Sequence, residues 1–123
     1  MNSDPGRLGK WGERVALDYL RENGYTIIIA GFRSRFGEID IIAKSTEYLT
    51  FTEVKTRRNN NFAQAREFVT KSKQRKIITT ANYWLAKRTT NLQPRFDVIE
   101  IYAKDGENTI SPEIIHIENA FGV

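Results

Sequence analysis

Two β-type segments separated by four polar residues constrain this chain more than any other feature. The first reads Gly37-Glu38-Ile39-Asp40-Ile41-Ile42-Ala43. The second reads Tyr48-Leu49-Thr50-Phe51-Thr52-Glu53-Val54-Lys55-Thr56-Arg57. Both are rich in the β-branched and aromatic residues that suit a pleated surface. The link, Lys44-Ser45-Thr46-Glu47, is long enough for a hairpin turn and little else. Side chains alternate along a strand, so Glu53 and Lys55 share a face while Val54 points away. The hairpin therefore places Asp40 on one strand and Glu53-x-Lys55 on its neighbour.

Those residue types suit a divalent-metal site for cutting phosphodiesters. Mg²⁺ is a hard ion that keeps several waters, so one or two carboxylates plus substrate phosphate oxygens can hold it, and Asp40 and Glu53 are the expected ligands of Mg²⁺ or Mn²⁺. Such an ion polarises the phosphate and lowers the pKa of a coordinated water. Lys55 would orient the water or stabilise developing negative charge. With 15 acidic residues and 8 lysines in 123 positions, an acid-x-Lys triplet is expected by chance about once. Its weight comes from context, and the plain alternative is a strand-face ion pair beside an exposed aspartate.

Charge is unevenly distributed. Residues 1–95 hold 18 Lys/Arg against 9 Asp/Glu, whereas residues 96–123 hold Lys104 against six acids. Lys55, Arg57, Arg58, Arg66, Lys71, Lys73, Arg75 and Lys76 crowd the stretch around and after Glu53. A cluster of that sign beside a metal site suits a polyanion; the alternative is a solvated lysine-rich helix face. Arg33 and Arg35 are further candidates for phosphate contacts from a loop beside the site. Cysteine is absent, which excludes disulfides and thiolate-bound zinc. The opening Met1–Gly6 has no apolar signal-peptide core, and no apolar run approaches membrane-spanning length. A soluble, cytoplasmic protein without a membrane partner is expected.

The remaining pattern predicts one domain over residues 1–123. Leu8, Trp11, Val15, Ala16, Tyr19 and Leu20 recur at helical spacing from about Arg7 to Asn23, with Gly24 as a stop. Tyr25–Ala30 reads as a strand ended by Gly31, and Arg58–Phe62 as a polar loop. Thr70 caps a second helix running to about Arg88, with Ile77, Ile78, Ala81, Trp84 and Leu85 as its buried stripe. Arg95–Tyr102 alternates like a strand, and in the acidic segment from about residue 103, Glu113–Ile117 reads as an edge strand. A helix joining the third and fourth strands implies a right-handed crossover between parallel neighbours, hence a mixed sheet with helices packed against it. Glu13 falls within the apolar arc of the first helix. It needs a partner there, either the metal cluster through a water or a salt bridge to Arg95 or Lys55. Asp97 reads as a structural brace for Arg95 or Lys55, and His116, the only histidine, as a strand residue rather than a base.

Several dispersed motifs occur in one order: Gly12-Glu13 with Ala16 and Tyr19-Leu20, Gly24-Tyr25, Phe32-Arg33-x-Arg35-x-Gly37-Glu38-Ile39-Asp40-x-Ile42, Phe51-x-Glu53-Val54-Lys55-Thr56-Arg57, Lys73-Gln74 and Arg95-Phe96-Asp97-Val98. Together they resemble the small bacterial YraN family, grouped with the PD-(D/E)xK, or restriction-endonuclease-like, nucleases. The resemblance runs to about Ile101, and archaeal Holliday-junction resolvases are more distantly similar. It implies an αβββαβ core, Asp40 and Glu53 as metal ligands, Lys55 as the catalytic lysine, Glu13 as an accessory acid and Gln74 as a site glutamine, with an exposed helix residue as the alternative for Gln74. Ile39 replaces the proline of the motif's name. Ile78 stands where some exonuclease branches carry a tyrosine, which argues against that branch.

The expectation is an α/β, restriction-endonuclease-like domain that hydrolyses phosphodiesters in DNA, DNA being expected over RNA and a branched or structured substrate by analogy alone. The main alternative is a nucleic-acid-binding module with the fold but without catalysis; a third is an interaction protein whose acids are structural. Two cuts on a symmetric junction would call for a homodimer.

Overall fold

The computed structural model describes residues 5–58 and 69–122. The expected polar loop lies outside them from residue 59 onward, as does Arg66. Chain order is α1 (Pro5–Glu22), β1 (Thr26–Ser34), β2 (Gly37–Lys44), β3 (Tyr48–Arg57), α2 (Lys71–Leu85), β4 (Gln93–Tyr102), a 3₁₀ turn (Gly106–Asn108) and β5 (Glu113–Phe121). The strands form one mixed sheet in the order β1-β2-β3-β4-β5. β3 and β4 are parallel, and the other neighbours are antiparallel. This is the αβββαβ order expected for a restriction-endonuclease-like α/β core, with β5 added at the edge. No helix among the described residues is long and apolar enough to cross a membrane.

Alternation in the strands sends apolar side chains to both sheet faces. Leu49 and Phe51 of β3 join Ile39, Ile42 and Phe96 under Ile77, Ala81 and Trp84 of α2. Ile41, Ala43, Ile99 and Ile101 face Ala16 and Leu20 of α1, with Val54 packed alongside. Each fully buried large side chain contributes about 1.5–3 kcal/mol, so the helices are held on opposite faces chiefly by these two clusters. Along β3 the α2-facing row is Leu49, Phe51, Glu53, Lys55. Its apolar half builds the core and its charged half lies beyond it.

The helix ends follow from their residues. Gly24 sits at φ +88 after α1, where the Tyr25 N–H bonds to the Leu20 carbonyl (2.9 Å) and the Gly24 N–H to that of Arg21 (3.2 Å). Glycine takes this left-handed position without a Cβ clash. Thr70, extended at φ −69 and ψ 162, caps α2 by accepting the Lys73 N–H at 3.1 Å. The helix stops at Leu85, three residues short of the expected end; the Arg88 Nη1 group then donates to the Trp84 carbonyl at 2.8 Å.

β1 departs from expectation more clearly. It continues through Gly31 to Ser34, because Gly31 bends the strand at φ +77 instead of ending it, and Phe32 to Ser34 go on pairing with Ile39 to Gly37.

Candidate functional site

The carboxylates meet where β2 and β3 part. Ile41↔Thr52 closes their ladder, and the next β2 residue outward is Asp40. Its Oδ2 accepts a hydrogen bond from the Val54 N–H at 2.8 Å, which seats the carboxylate beside Glu53 and Val54. Burial, then the charge of Glu53, pushes the Asp40 carboxyl up to about 7, against the opposing pull of the Val54 N–H.

Glu53 is only 6% exposed. Its Oε2 faces two ammonium groups, Lys73 Nζ at 2.6 Å and Lys55 Nζ at 3.4 Å. Burial pushes the Lys55 ammonium below the usual lysine range; Glu53 opposes this and Lys73 adds to it. For Lys73 burial acts in the same downward direction, but the hydrogen bond and charge of Glu53 outweigh it and hold the group above the ordinary value. Asp40 Oδ1 and Glu53 Oε1 make none of these contacts among the described residues.

Glu13 reaches the same neighbourhood from α1. A Cβ built on Gly12 would lie 1.9 Å from Thr56 Oγ1, so only glycine lets the helix approach β3 this closely. Burial, then Glu38 and Glu53, raise the Glu13 carboxyl above its usual range. Among the described residues Glu13 makes no salt bridge to Lys55 or Arg95. Lys55 pairs with Glu53, and Arg95 pairs with Asp97.

Other candidates lie elsewhere. The Gln74 Nε2 group donates to the Val69 carbonyl at 3.0 Å, and the residue lines a small depression with Val98, Ile117 and Phe121; it makes no hydrogen bond to Asp40, Glu53 or Lys55 among the described residues. Arg57 is half-buried and donates to the Thr56 carbonyl. The Arg58 guanidinium turns to the 3₁₀ segment, 2.9 Å from where a Cβ on Gly106 would sit. Lys71, Arg75 and Lys76 are exposed on the first turns of α2. Arg33 faces Glu38 at 3.6 Å on the outer hairpin, and Arg35 occupies its turn.

Two residues enter this region without having been singled out for it. Lys73, grouped with the general basic cluster, touches Glu53 directly because Thr70 caps the helix three residues earlier. Glu100 is buried opposite Lys55 in the β3–β4 register and accepts a hydrogen bond from the Tyr102 hydroxyl at 3.1 Å. An acid amid the apolar run Val98-Ile99-Glu100-Ile101 was the available signal.

A second polar group lies on the α1 side. Asp97, fully buried, accepts Arg95 Nε and Nη2 at 2.9 Å each and the Asn119 N–H at 3.0 Å, and pairs with His116 Nε2 at 2.8 Å. His116 Nδ1 is 3.1 Å from the Tyr19 hydroxyl, and Arg95 also donates to the Tyr25 hydroxyl at 2.7 Å. This network ties β5 and α1 to β4, so Asp97 braces Arg95 rather than Lys55.

The oxygens of Asp40 and Glu53 form a hard-donor pair that fits Mg²⁺ or Mn²⁺ with water and phosphate completing the sphere. Among the described residues no group of three or more His, Cys, Asp or Glu comes together to hold a metal ion. Among the described residues the acids that act on the Asp40 carboxyl are Glu53 and, more weakly, Glu13.

Residues 12–101 match the model of the uncharacterised protein family UPF0102. A UPF0102 protein of Syntrophotalea carbinolica is 42% identical over 117 residues, covering 94% of this chain and 92% of the relative. One from Clostridium beijerinckii is 44% identical over 115 residues (93% and 92%), and one from Persephonella marina is 42% identical over 114 (92% and 91%). The match takes in Glu13, Asp40, Glu53, Lys55 and Lys73, and the chain belongs to the UPF0102 family, the YraN-like group that its motifs resemble.

Proposed function

We propose that this protein is a metal-dependent nuclease of the PD-(D/E)xK class that hydrolyses phosphodiester bonds in DNA, with branched or otherwise structured DNA as the substrate. One observation carries the reading: the half-buried carboxylate of Asp40 and the buried one of Glu53 are held near each other at the open end of the sheet, where burial and then the charge of Glu53 push the Asp40 carboxyl up to about 7. Two neighbouring carboxylates draw in cations; Lys73 and Lys55 already supply part of that charge at Glu53, and a divalent ion would supply the rest at Asp40.

Asp40 and Glu53 would hold Mg²⁺ or Mn²⁺. The bound ion would polarise the scissile phosphate and favour deprotonation of the attacking water. The chain's own residues do the rest. The Val54 N–H fixes Asp40 through Oδ2 and leaves Oδ1 without a hydrogen bond among the described residues. Lys55, on the Glu53 face of β3, supplies a positive charge against the negative charge that accumulates on the phosphoryl oxygens. Lys73 neutralises Glu53 and would have to leave its Oε2 for that oxygen to hold an ion. Lys71, Arg75 and Lys76 on the exposed turns of α2 provide attraction for the phosphate backbone. Two such sites in a homodimer would cut both strands of a symmetric junction.

A non-catalytic nucleic-acid-binding module is the second reading. It is favoured by the two ammonium groups already on Glu53 Oε2. A metal-titrated cleavage panel over duplex, single-stranded, flap and four-way DNA separates the two. The nuclease nicks at least one substrate with Mg²⁺ or Mn²⁺, and Asp40→Asn and Glu53→Gln abolish cutting while DNA affinity persists. Salt-sensitive binding with no metal-dependent product on any substrate leaves the binding module.

A further inference from the structure

We propose that the tip of the β1–β2 hairpin, together with the outer side of α2, is a stacking platform for the unpaired bases of single-stranded DNA. Naming DNA as the ligand rests on the nuclease reading; the platform itself rests on separate residues. Ser34 and Gly37 pair across the hairpin, so its two-residue loop is Arg35-Phe36. Such loops are ordinarily built from glycine, asparagine or aspartate. Here Gly37 takes the positive φ (147°), Ser34 Oγ accepts the Phe36 N–H at 3.1 Å, and an arginine and a phenylalanine stand at the apex.

Phe36 is 36% exposed, and its ring meets that of Tyr83 on α2 edge to face, with centroids 5.4 Å apart. Each ring carries its own cation. The Arg35 guanidinium is 4.9 Å from the Phe36 centroid, and the Lys87 ammonium is 4.6 Å from that of Tyr83 and 3.1 Å from its hydroxyl. The tip is seated firmly, since a Cβ on Gly37 would lie 3.2 Å from Thr80 Oγ1 and 3.7 Å from Lys76 Cβ. Arg35, Lys76 and Lys87 have no acidic partner among the described residues, because nearby Glu38 faces Arg33.

Aromatic faces interleaved with unopposed cations fit a ligand that exposes both π-faces and phosphates. Single-stranded DNA does so, whereas an uninterrupted duplex hides its base faces. Tyr83 lies ten residues beyond Lys73 on α2, about 15 Å at the helical rise. Phe36, just before β2, lies four residues from Asp40, about 13 Å at the strand rise. A strand stacked on the platform would therefore lead directly to the carboxylates, which assigns the substrate as DNA with an unpaired segment next to the bond that is cut.

The test is fluorescence anisotropy of the full chain, without metal, on a labelled 15-nucleotide oligo-dT, its duplex with oligo-dA and the matching oligo-rU. Phe36→Ala and Tyr83→Ala should each weaken oligo-dT binding by about tenfold or more with the salt dependence unchanged, because no charge is removed. Duplex affinity should move less than threefold, and Phe36→Tyr and Tyr83→Phe, which keep the rings, should bind oligo-dT like the wild type. Alanine variants that bind oligo-dT normally overturn the platform and leave the patch to a protein partner. Equal losses on single strand and duplex, or preferential binding of oligo-rU, overturn it as well. Metal-dependent cutting by a protein with neutral alanine variants would sink the platform alone; a wild type that binds no DNA at all would sink the nuclease reading with it.

Discussion

Replacing Asp40 with asparagine should make the protein more stable at neutral pH. In the unfolded chain this carboxyl ionises near its ordinary value of 3.8; in the fold, burial and Glu53 push it up to about 7. Below pH 4 both states are protonated and the site costs nothing. Between pH 4 and 7 the folded state holds a proton that the unfolded state has lost, so stability falls as pH rises, and above 7 the whole penalty is present. A rise of roughly three pH units at 1.36 kcal/mol each sets the ceiling at about 4 kcal/mol. The asparagine amide has the same shape, its oxygen can accept the Val54 N–H, and it carries no charge. Asp40→Asn should therefore raise the melting temperature at pH 8 by on the order of 10 °C, with the difference closing toward zero at pH 4.5. Circular-dichroism melts of both proteins across this range measure it, and adding Mn²⁺ should stabilise only the wild type. A difference that does not vary with pH, or a variant that is less stable at pH 8, refutes the reasoning.

Other perturbations read other parts of the structure. Lys73→Met removes the ammonium 2.6 Å from Glu53 and should strengthen Mn²⁺ binding by about tenfold or more in isothermal titration calorimetry; unchanged or weaker binding would show that Lys73 does not compete with the ion. Asp97→Ala strands Arg95 and His116 in a buried site and should cost about 3–5 kcal/mol in urea unfolding. Although burial pushes the Asp97 carboxyl up, His116, Arg95 and the Asn119 N–H hold it below its ordinary range, so its contribution is present above about pH 4 and lost as pH falls through its folded value. Gly12→Ala places a methyl 1.9 Å from Thr56 Oγ1 and should destabilise by about 1–3 kcal/mol despite alanine's better helix propensity. Adding Thr56→Ala should recover most of that loss, as a double-mutant cycle would show.

What the sequence made legible was periodic. The β2–β3 hairpin, the apolar stripes of both helices, the Gly24 stop and the Thr70 cap are each written in residues a few positions apart. Asp40 and Glu53 could be brought together on paper because one short link leaves the hairpin little choice. Lys73 was hidden for the opposite reason. Its contact with Glu53 depends on how α2 is set over the sheet, and one lysine in a basic run looks like the next. Gly31 misled because glycine serves both as a strand terminator and as a bend within a strand. The pairing of Phe36 with Tyr83, and of Asp97 with His116, joins residues far apart in the chain with no local pattern to announce them.

Anomalous diffraction from crystals of the wild-type protein soaked in millimolar Mn²⁺ tests the central claim most directly. A manganese peak at about 2.0–2.3 Å from one oxygen each of Asp40 and Glu53, with Lys73 displaced from Glu53, is the predicted result. Crystals in which Lys73 and Lys55 stay on Glu53 and no manganese lies between the two acids would contradict it.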